Sequence, residues 1–302
     1  MPIAALLVLI LCLIATVAVF QDARARLPRP AAIAWTLATL VTAGLAAPIY
    51  LLIRPSRAAM WGLSEVLALP LFLAMSLLVL IVVLGEFTTV RPDTLSSIWV
   101  IVVLAVIQNA AFVAAALYVV LVKYRLPLAR LGLAAGPWAR RLRAGVLAAI
   151  AALVGNTLGQ SLTVLLVGLA IGRQAANELV NRKEANLPIY QILKQFHHPR
   201  EILILAVLVG LVVPIGEEIF FRGLTYGALR SMMNRHTAAL VSALFFAALH
   251  LEPVEFLPIL ILGTILAYVY DFTGSLVPGM IAHAVNNLTA LVVFYMSPLP
   301  SP

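Results

Sequence analysis

Apolar runs separated by short polar stretches organise this chain. They lie near 3–20, 31–53, 66–85, 98–122, 144–172, 202–221, 237–250, 256–270 and 274–296. A run of about 18 or more apolar residues is long enough to cross a bilayer as a helix. The pattern predicts an all-α fold, a polytopic membrane bundle of about eight or nine transmembrane helices. Runs 237–250 and 256–270 are short, so they are expected to be buried in the bundle or extended by polar flanks.

The polar stretches set an orientation. Stretch 123–143 holds Lys123, Arg125, Arg130, Arg140, Arg141 and Arg143 and no acid, which places it on the cytoplasmic face. Stretch 222–236 holds Arg222, Arg230 and Arg235, again with no acid, and is expected on the same face. Two runs separate these stretches, so that pair agrees. Stretch 21–30 also looks cytoplasmic, with Arg24, Arg26 and Arg29, yet three runs separate it from 123–143. Either one early run does not cross or one loop breaks the rule. Stretch 173–201 mixes both signs of charge and is expected outside the cytoplasm, with a short amphipathic helix. Its His197-His198 pair reads as a solvated loop pair, because no third ligand stands at a metal-site spacing.

Composition agrees with the pattern. The chain has 302 residues, 63% hydrophobic and 11% charged, with a mean hydropathy of +1.08. Soluble domains are about 45–50% apolar and 25% charged. The net charge of +8 is explained by cytoplasmic loops and anionic lipid headgroups. No aromatic-basic surface pattern accompanies it, so no nucleic-acid partner is expected. The single cysteine, Cys12, excludes an internal disulfide framework and a cysteine-based zinc site. No Lys or Arg precedes run 3–20, which favours a retained first helix over a cleaved signal peptide.

Against this background Glu217 and Glu218 stand out, in Val-Val-Pro-Ile-Gly-Glu-Glu-Ile-Phe-Phe-Arg. A carboxylate at the bilayer centre costs on the order of 2.5 kcal/mol or more, and such residues are functional candidates. Beyond residue 200 the strongly polar intramembrane positions form three groups: Glu217-Glu218-x-x-x-Arg222, Phe246-x-x-x-His250 and His283-x-x-Asn286-Asn287. Residues four apart share a helix face, which pairs Glu218 with Arg222, Phe246 with His250 and His283 with Asn287. Glu217 turns about 100° away from Glu218.

Helical rise puts the three groups on one side of the midplane or around it, with a spread of about 12 Å. The spread shrinks if the Glu helix continues towards Leu229. Pro214, Gly216, Pro253, Pro278 and Gly279 lie close to these groups. Irregular backbone at that depth suggests a hydrated pocket opening to the cytoplasm.

Such a pocket supports limited chemistry. Glu217 and His250 can share a water and remove its proton. His283 and Asn287 can donate hydrogen bonds to a developing oxyanion. Together these fit hydrolysis of an amide. Blander readings stand beside this one. Glu218–Arg222 is most simply a buried ion pair holding helices, Phe246 is packing, and a lone intramembrane histidine is usually an interhelical hydrogen bonder. Asn286 could replace Asn287, but Asn287 shares the face of His283. Glu252, Glu255 and Asp271 border helix ends and read as interfacial.

The ordered triple Glu-Glu-x-x-x-Arg, Phe-x-x-x-His, His-x-x-x-Asn resembles the CAAX protease and bacteriocin-processing family, which includes the type II CAAX prenyl endopeptidases. The resemblance covers about 144–296, roughly half of the chain, and implies a protease-like domain over 144–302, with 1–143 left as an unassigned N-terminal transmembrane region. It implies a glutamate-dependent endopeptidase, often labelled a metalloprotease. Glu217 and His250 would activate water, and His283 and Asn287 would stabilise the oxyanion. Arg222 would hold Glu218. Its partners would be a membrane-associated or lipidated protein or peptide substrate, and membrane lipids.

No metal is required by the sequence, which lacks His-Glu-x-x-His. If a divalent metal such as zinc binds, Glu217, His250 and His283 make the three-ligand set. The loop style points to a bacterial cytoplasmic membrane. A proton-coupled secondary transporter and a non-catalytic scaffold are the alternatives that the same residues allow.

Overall fold

The structure is a computed structural model, and it describes residues 3–42, 44–55, 60–68, 70, 98–134, 136–181 and 193–296. Every regular element among them is helical. The helices are α1 (Ile3–Arg26), α2 (Arg29–Val41), α3 (Ala46–Ile53), α4 (Ile98–Leu117, continued by a π-helical turn, Tyr118–Lys123) and α5 (Trp138–Ile171). After these come α6 (Arg173–Asn181), α7 (Pro199–Met232), α8 (Arg235–Leu249), α9 (Phe256–Thr273) and α10 (Leu276–Met296).

Among the described residues, five helices are long and apolar enough to cross a membrane: Ile101–Lys123, α5, α7, α9 and α10. Together with the composition they make this an integral membrane protein. Helix α8 is apolar but shorter, as its run implied. The expected count of eight or nine also includes run 66–85, most of which lies outside the described residues.

Run 31–53 departs from expectation. It is not one crossing helix but two short ones, α2 and α3. At about 1.5 Å per residue they reach roughly 20 and 12 Å, less than the hydrocarbon core of about 30 Å. The break is built locally. Gly44 takes a positive φ of 92°, which only glycine adopts freely. The Thr42 hydroxyl then accepts from the Ala46 N–H at 3.0 Å and caps α3.

The contacts divide the chain into two compact units, 1–94 with 117–126, and 95–116 with 127–302. In the first unit α1 and α2 pack together over Val19, Ala23, Ala32, Ala47 and Tyr50. Two acids are paired at its polar end. Asp22 accepts from Tyr50 Oη at 2.6 Å and Arg26 Nε at 2.8 Å and pairs with Arg54 at 2.6 Å. Burial pushes the Asp22 carboxyl up, but the bonds from Arg54, Tyr50 and Arg26 outweigh it and hold the group at about 2. Glu65 pairs with Lys123 at 2.6 Å, and Lys123 Nζ also donates to the carbonyls of Leu51 and Leu52. Lys123, read from sequence as a loop cation, is thus a buried partner.

In the second unit α5 packs along both α9 and α10. Small residues permit the approach: Ala148, Ala149 and Ala152 meet Leu262, Leu266 and Ala282. Close backbone contact through small side chains is how helices associate in lipid. Helix α8 starts at Asn234, whose side chain accepts from the His236 and Thr237 N–H groups. It packs along α9 and brings Phe246 and His250 towards α7.

Candidate active site

Helix α7 carries the glutamates, and its irregularity shapes the site. Its start is closed by a capping box: His198 accepts from the Arg200 N–H, and Glu201 accepts from the His198 N–H, each at 3.2 Å. His198 is therefore a helix cap. Two stretches, Leu208–Val212 and Glu218–Tyr226, are π-helical, a widening common at functional sites. Between them lies one α-helical turn, Val213–Glu217.

In the first wide stretch the Val213 N–H reaches the Leu208 carbonyl. The next donor in that register is residue 214, a proline with no N–H. Asn287 supplies the missing bond, donating from Nδ2 to the Val209 carbonyl at 3.1 Å. One of its two amide hydrogens is thereby committed to α7.

The helix does not stop where the apolar run ends. Arg222 and Arg230 made 222–236 look like a loop, but both are paired within the fold. Arg230 binds Asp271 at 3.1 Å, and α7 continues to Met232. Glu217 is then about 22 Å from that end and near mid-helix. The expected 12 Å spread closes accordingly, and the first and third motifs touch.

Glu218 is fully buried. Its Oε1 pairs with Arg222 at 2.8 Å and receives His283 Nδ1 at 3.1 Å. Its Oε2 rests over Gly279, where an added Cβ would come within 2.8 Å. The expected in-helix pair is present, and it does more than hold a helix. A carboxylate can only accept, so Nδ1 of His283 carries the proton and Nε2 faces the other way. Nε2 stands 3.7 Å from Glu217 Oε2, beyond hydrogen-bond length. The ring that faces Glu217 is therefore that of His283, whereas the sequence reading paired Glu217 with His250. Contact across helices decides this, and spacing along one helix does not report it.

His250 caps the end of α8 and is exposed. Its Nδ1 bonds the Phe246 carbonyl at 2.8 Å. A carbonyl only accepts, so Nδ1 is the donor and Nε2 is left as a potential base. Phe246 is buried among the charged groups. Its ring lies 4.4 Å from the Arg222 guanidinium carbon, 4.7 Å from the His250 ring and 5.9 Å from the His283 ring. It packs, as expected, and it also covers a buried cation with its π face.

Arg222 donates to the Gly263 carbonyl at 3.3 Å. Two carboxylates and one guanidinium leave one negative charge, which is costly in a buried site.

Several buried atoms here have no hydrogen-bond partner among the described residues: Glu217 Oε2, Glu218 Oε2, Arg222 Nε, Thr225 Oγ1 and Asn109 Oδ1. Asn109 lies in run 98–122 and Asn156 in run 144–172. Asn156 donates to Asn286 Oδ1 at 3.2 Å. Neither Asn109 nor Asn156 was singled out from sequence. The signal was the one that found the glutamates, a strongly polar residue inside an apolar run.

Glu217, His250 and His283 are the ligands expected from the sequence if a metal binds. Among the described residues no three His, Cys, Asp or Glu side chains are disposed to hold a metal ion. Glu217 and His283 face each other, while His250 is turned onto its own helix carbonyl.

Comparison with known proteins falls on the same part of the chain. Residues 199–289 match the family model described as "Type II CAAX prenyl endopeptidase Rce1-like". A curated relative is the UPF0177 protein YxdF of Lactococcus lactis subsp. lactis (strain IL1403), 34% identical over 82 residues. That alignment covers 27% of this chain and 45% of YxdF, so the chain spans under half the length of this relative. No solved structure matches. The likeness to the CAAX protease and bacteriocin-processing family holds for residues 199–289, the Rce1-like stretch of this chain, in which all three motifs meet.

Proposed function

We propose that the chain is an intramembrane endopeptidase that hydrolyses a peptide bond of a membrane-associated or lipidated protein or peptide. The observation that carries the reading is Glu217 itself. It is a buried carboxylate with one oxygen unpartnered, facing a histidine that a second carboxylate orients.

Each step uses groups of this chain. Glu217 takes a proton from a water, and the oxygen adds to the scissile carbonyl carbon. His250, with Nδ1 fixed, offers Nε2 as a second base that can take the proton on from Glu217. The carbonyl oxygen becomes an oxyanion, which the remaining amide hydrogen of Asn287 receives; His283 adds a second donor from Nε2 only in the form that carries a proton on both ring nitrogens, since Nδ1 already donates to Glu218. The tetrahedral centre then collapses, and the proton on Glu217 passes to the departing amine nitrogen. General-base catalysis of this kind is worth about 10²–10⁴-fold, and an oxyanion donor about 10²–10³-fold. Arg222 and Phe246 hold Glu218, and through it His283.

In this reading residues 144–302 form the protease-like domain and 1–143 the N-terminal transmembrane region. The site opens towards the cytoplasmic side of a bacterial cytoplasmic membrane, with lipids and a protein or peptide substrate as its partners. Substitution Glu217→Ala is expected to abolish a membrane fragment that accumulates with wild type, while the protein still folds. Unchanged fragment levels would sink the proposal. Proton-coupled flux in liposomes with no fragment would favour the transporter.

A further inference from the structure

We infer that Asn109, from a helix outside the matched stretch, is a positioning residue of this site. Its amide oxygen holds the water that Glu217 deprotonates. The chemistry rests on the peptidase reading; the placement rests on geometry alone.

Helix α4 runs alongside α7 in the same direction. Asn109 lies against Gly216, and three residues on, Phe112 stacks on Phe220 at 4.6 Å, four residues beyond Gly216. The approach is so close that a Cβ on Gly216 would collide with the Asn109 amide. Asn109 therefore fixes the rotation of the short turn Val213–Glu217, whose last residue is the proposed base.

The amide orientation is determined. Asn109 Nδ2 donates to the Ala105 carbonyl at 2.8 Å, and only the nitrogen can do so. Oδ1 is the free end, and it has no donor although the residue is only 4% exposed. An asparagine that joins membrane helices bonds across them. This one bonds within its own helix and leaves its acceptor facing α7. A plain packing role needs no such group, since leucine has a similar shape and no unmet acceptor.

The neighbouring residue presents the same feature. Glu217 Oε2 is also a buried acceptor without a donor. One acceptor lies against Gly216 and the other belongs to the next residue of α7; a molecule with two donors would satisfy both, and water has two. One O–H points to Glu217, which removes that proton. The other points to Asn109, which leaves a lone pair directed at the scissile carbonyl. Orientation of this kind is worth about 10–100-fold when disturbed.

The test uses the full chain in lipid nanodiscs. Infrared difference spectra between H₂O and D₂O, with labelled glutamate, identify the Glu217 carboxyl band by its loss in Glu217→Gln. Asn109→Leu is expected to shift this band and remove its solvent-sensitive component, while Asn109→Asp, which keeps an oxygen acceptor, retains that component. Asn109→Ala reads the same band if leucine prevents folding. A band unchanged from wild type in the leucine or alanine variant overturns the inference.

With a Glu217-dependent fragment in hand, Asn109→Leu should lower kcat about 10–100-fold at unchanged KM. If Glu217→Gln leaves the fragment intact, the peptidase reading fails, and the infrared result still decides the Asn109 contact.

Discussion

Both units bury charged groups, and they finish them differently. In the first, Glu65 accepts from Lys123, Tyr124, Ser64 and the Gly62 N–H. Lys123 spends its remaining donors on two carbonyls. In the second, Glu217, Glu218, Arg222 and Asn109 each keep a buried atom without a partner. All the partnerless buried atoms among the described residues fall in the second unit. A saturated ion pair fixes a fold, because every lone pair and proton is already committed. An unsaturated one has capacity left for a substrate or a water. This difference, more than burial or charge, separates the first cluster from the one proposed to be catalytic.

The contrast can be broken at its strongest point first. Arg222→Leu removes the cation beneath Glu218 and leaves an uncompensated buried charge, a change that costs about 3–5 kcal/mol. Thermal unfolding in detergent should show a large loss, and Arg222→Leu combined with Glu218→Leu should recover much of it. Lys123→Met should cost a similar or slightly smaller amount for the same reason. If the first cluster is purely structural, Lys123→Leu with Glu65→Leu should approach wild-type stability and leave every activity of the second unit untouched.

A smaller effect is expected at Asn287. Asn287→Leu strands the Val209 carbonyl at the proline break, worth about 1–3 kcal/mol. It should also slow cleavage by loss of an oxyanion donor. A drop in stability with full activity would assign Asn287 to the helix alone.

Acid titration gives the smallest effect. Asp22 is held at about 2, below its ordinary value of 3.8. Its contribution is complete above pH 3.8 and is lost as pH falls through about 2. Comparing wild type with Asp22→Asn in this window should show the wild-type advantage vanish towards pH 2. An advantage that persists there would mean the hydrogen bonds matter in either protonation state.

How much of this was legible depended on the residue. Charges in lipid cannot be hidden in a sequence, so Glu217, Glu218, Arg222, His250, His283 and Asn287 were all visible. Their partners were not, because contact between helices follows from the register of α7 against α10. That register depends on wide turns which no local pattern announces. Arg230 masked the continuation of α7, since its neutralising acid, Asp271, is 41 residues away. The break between α2 and α3 hides in small residues around Thr42 and Gly44 that read as membrane helix. Asn109 is readable by the rule that finds Glu217, a strongly polar residue inside an apolar run, but it lies in run 98–122, away from the stretch that carries the three motifs.

The central claim is that Glu217 activates a water for peptide hydrolysis. Its most direct test is to incubate membranes carrying wild type or Glu217→Gln in H₂¹⁸O and sequence the resulting fragments by mass spectrometry. The account predicts a wild-type fragment with one ¹⁸O in its new terminal carboxylate and no such fragment with Glu217→Gln, although both proteins unfold at the same temperature. The same labelled fragment at wild-type levels with Glu217→Gln would contradict it.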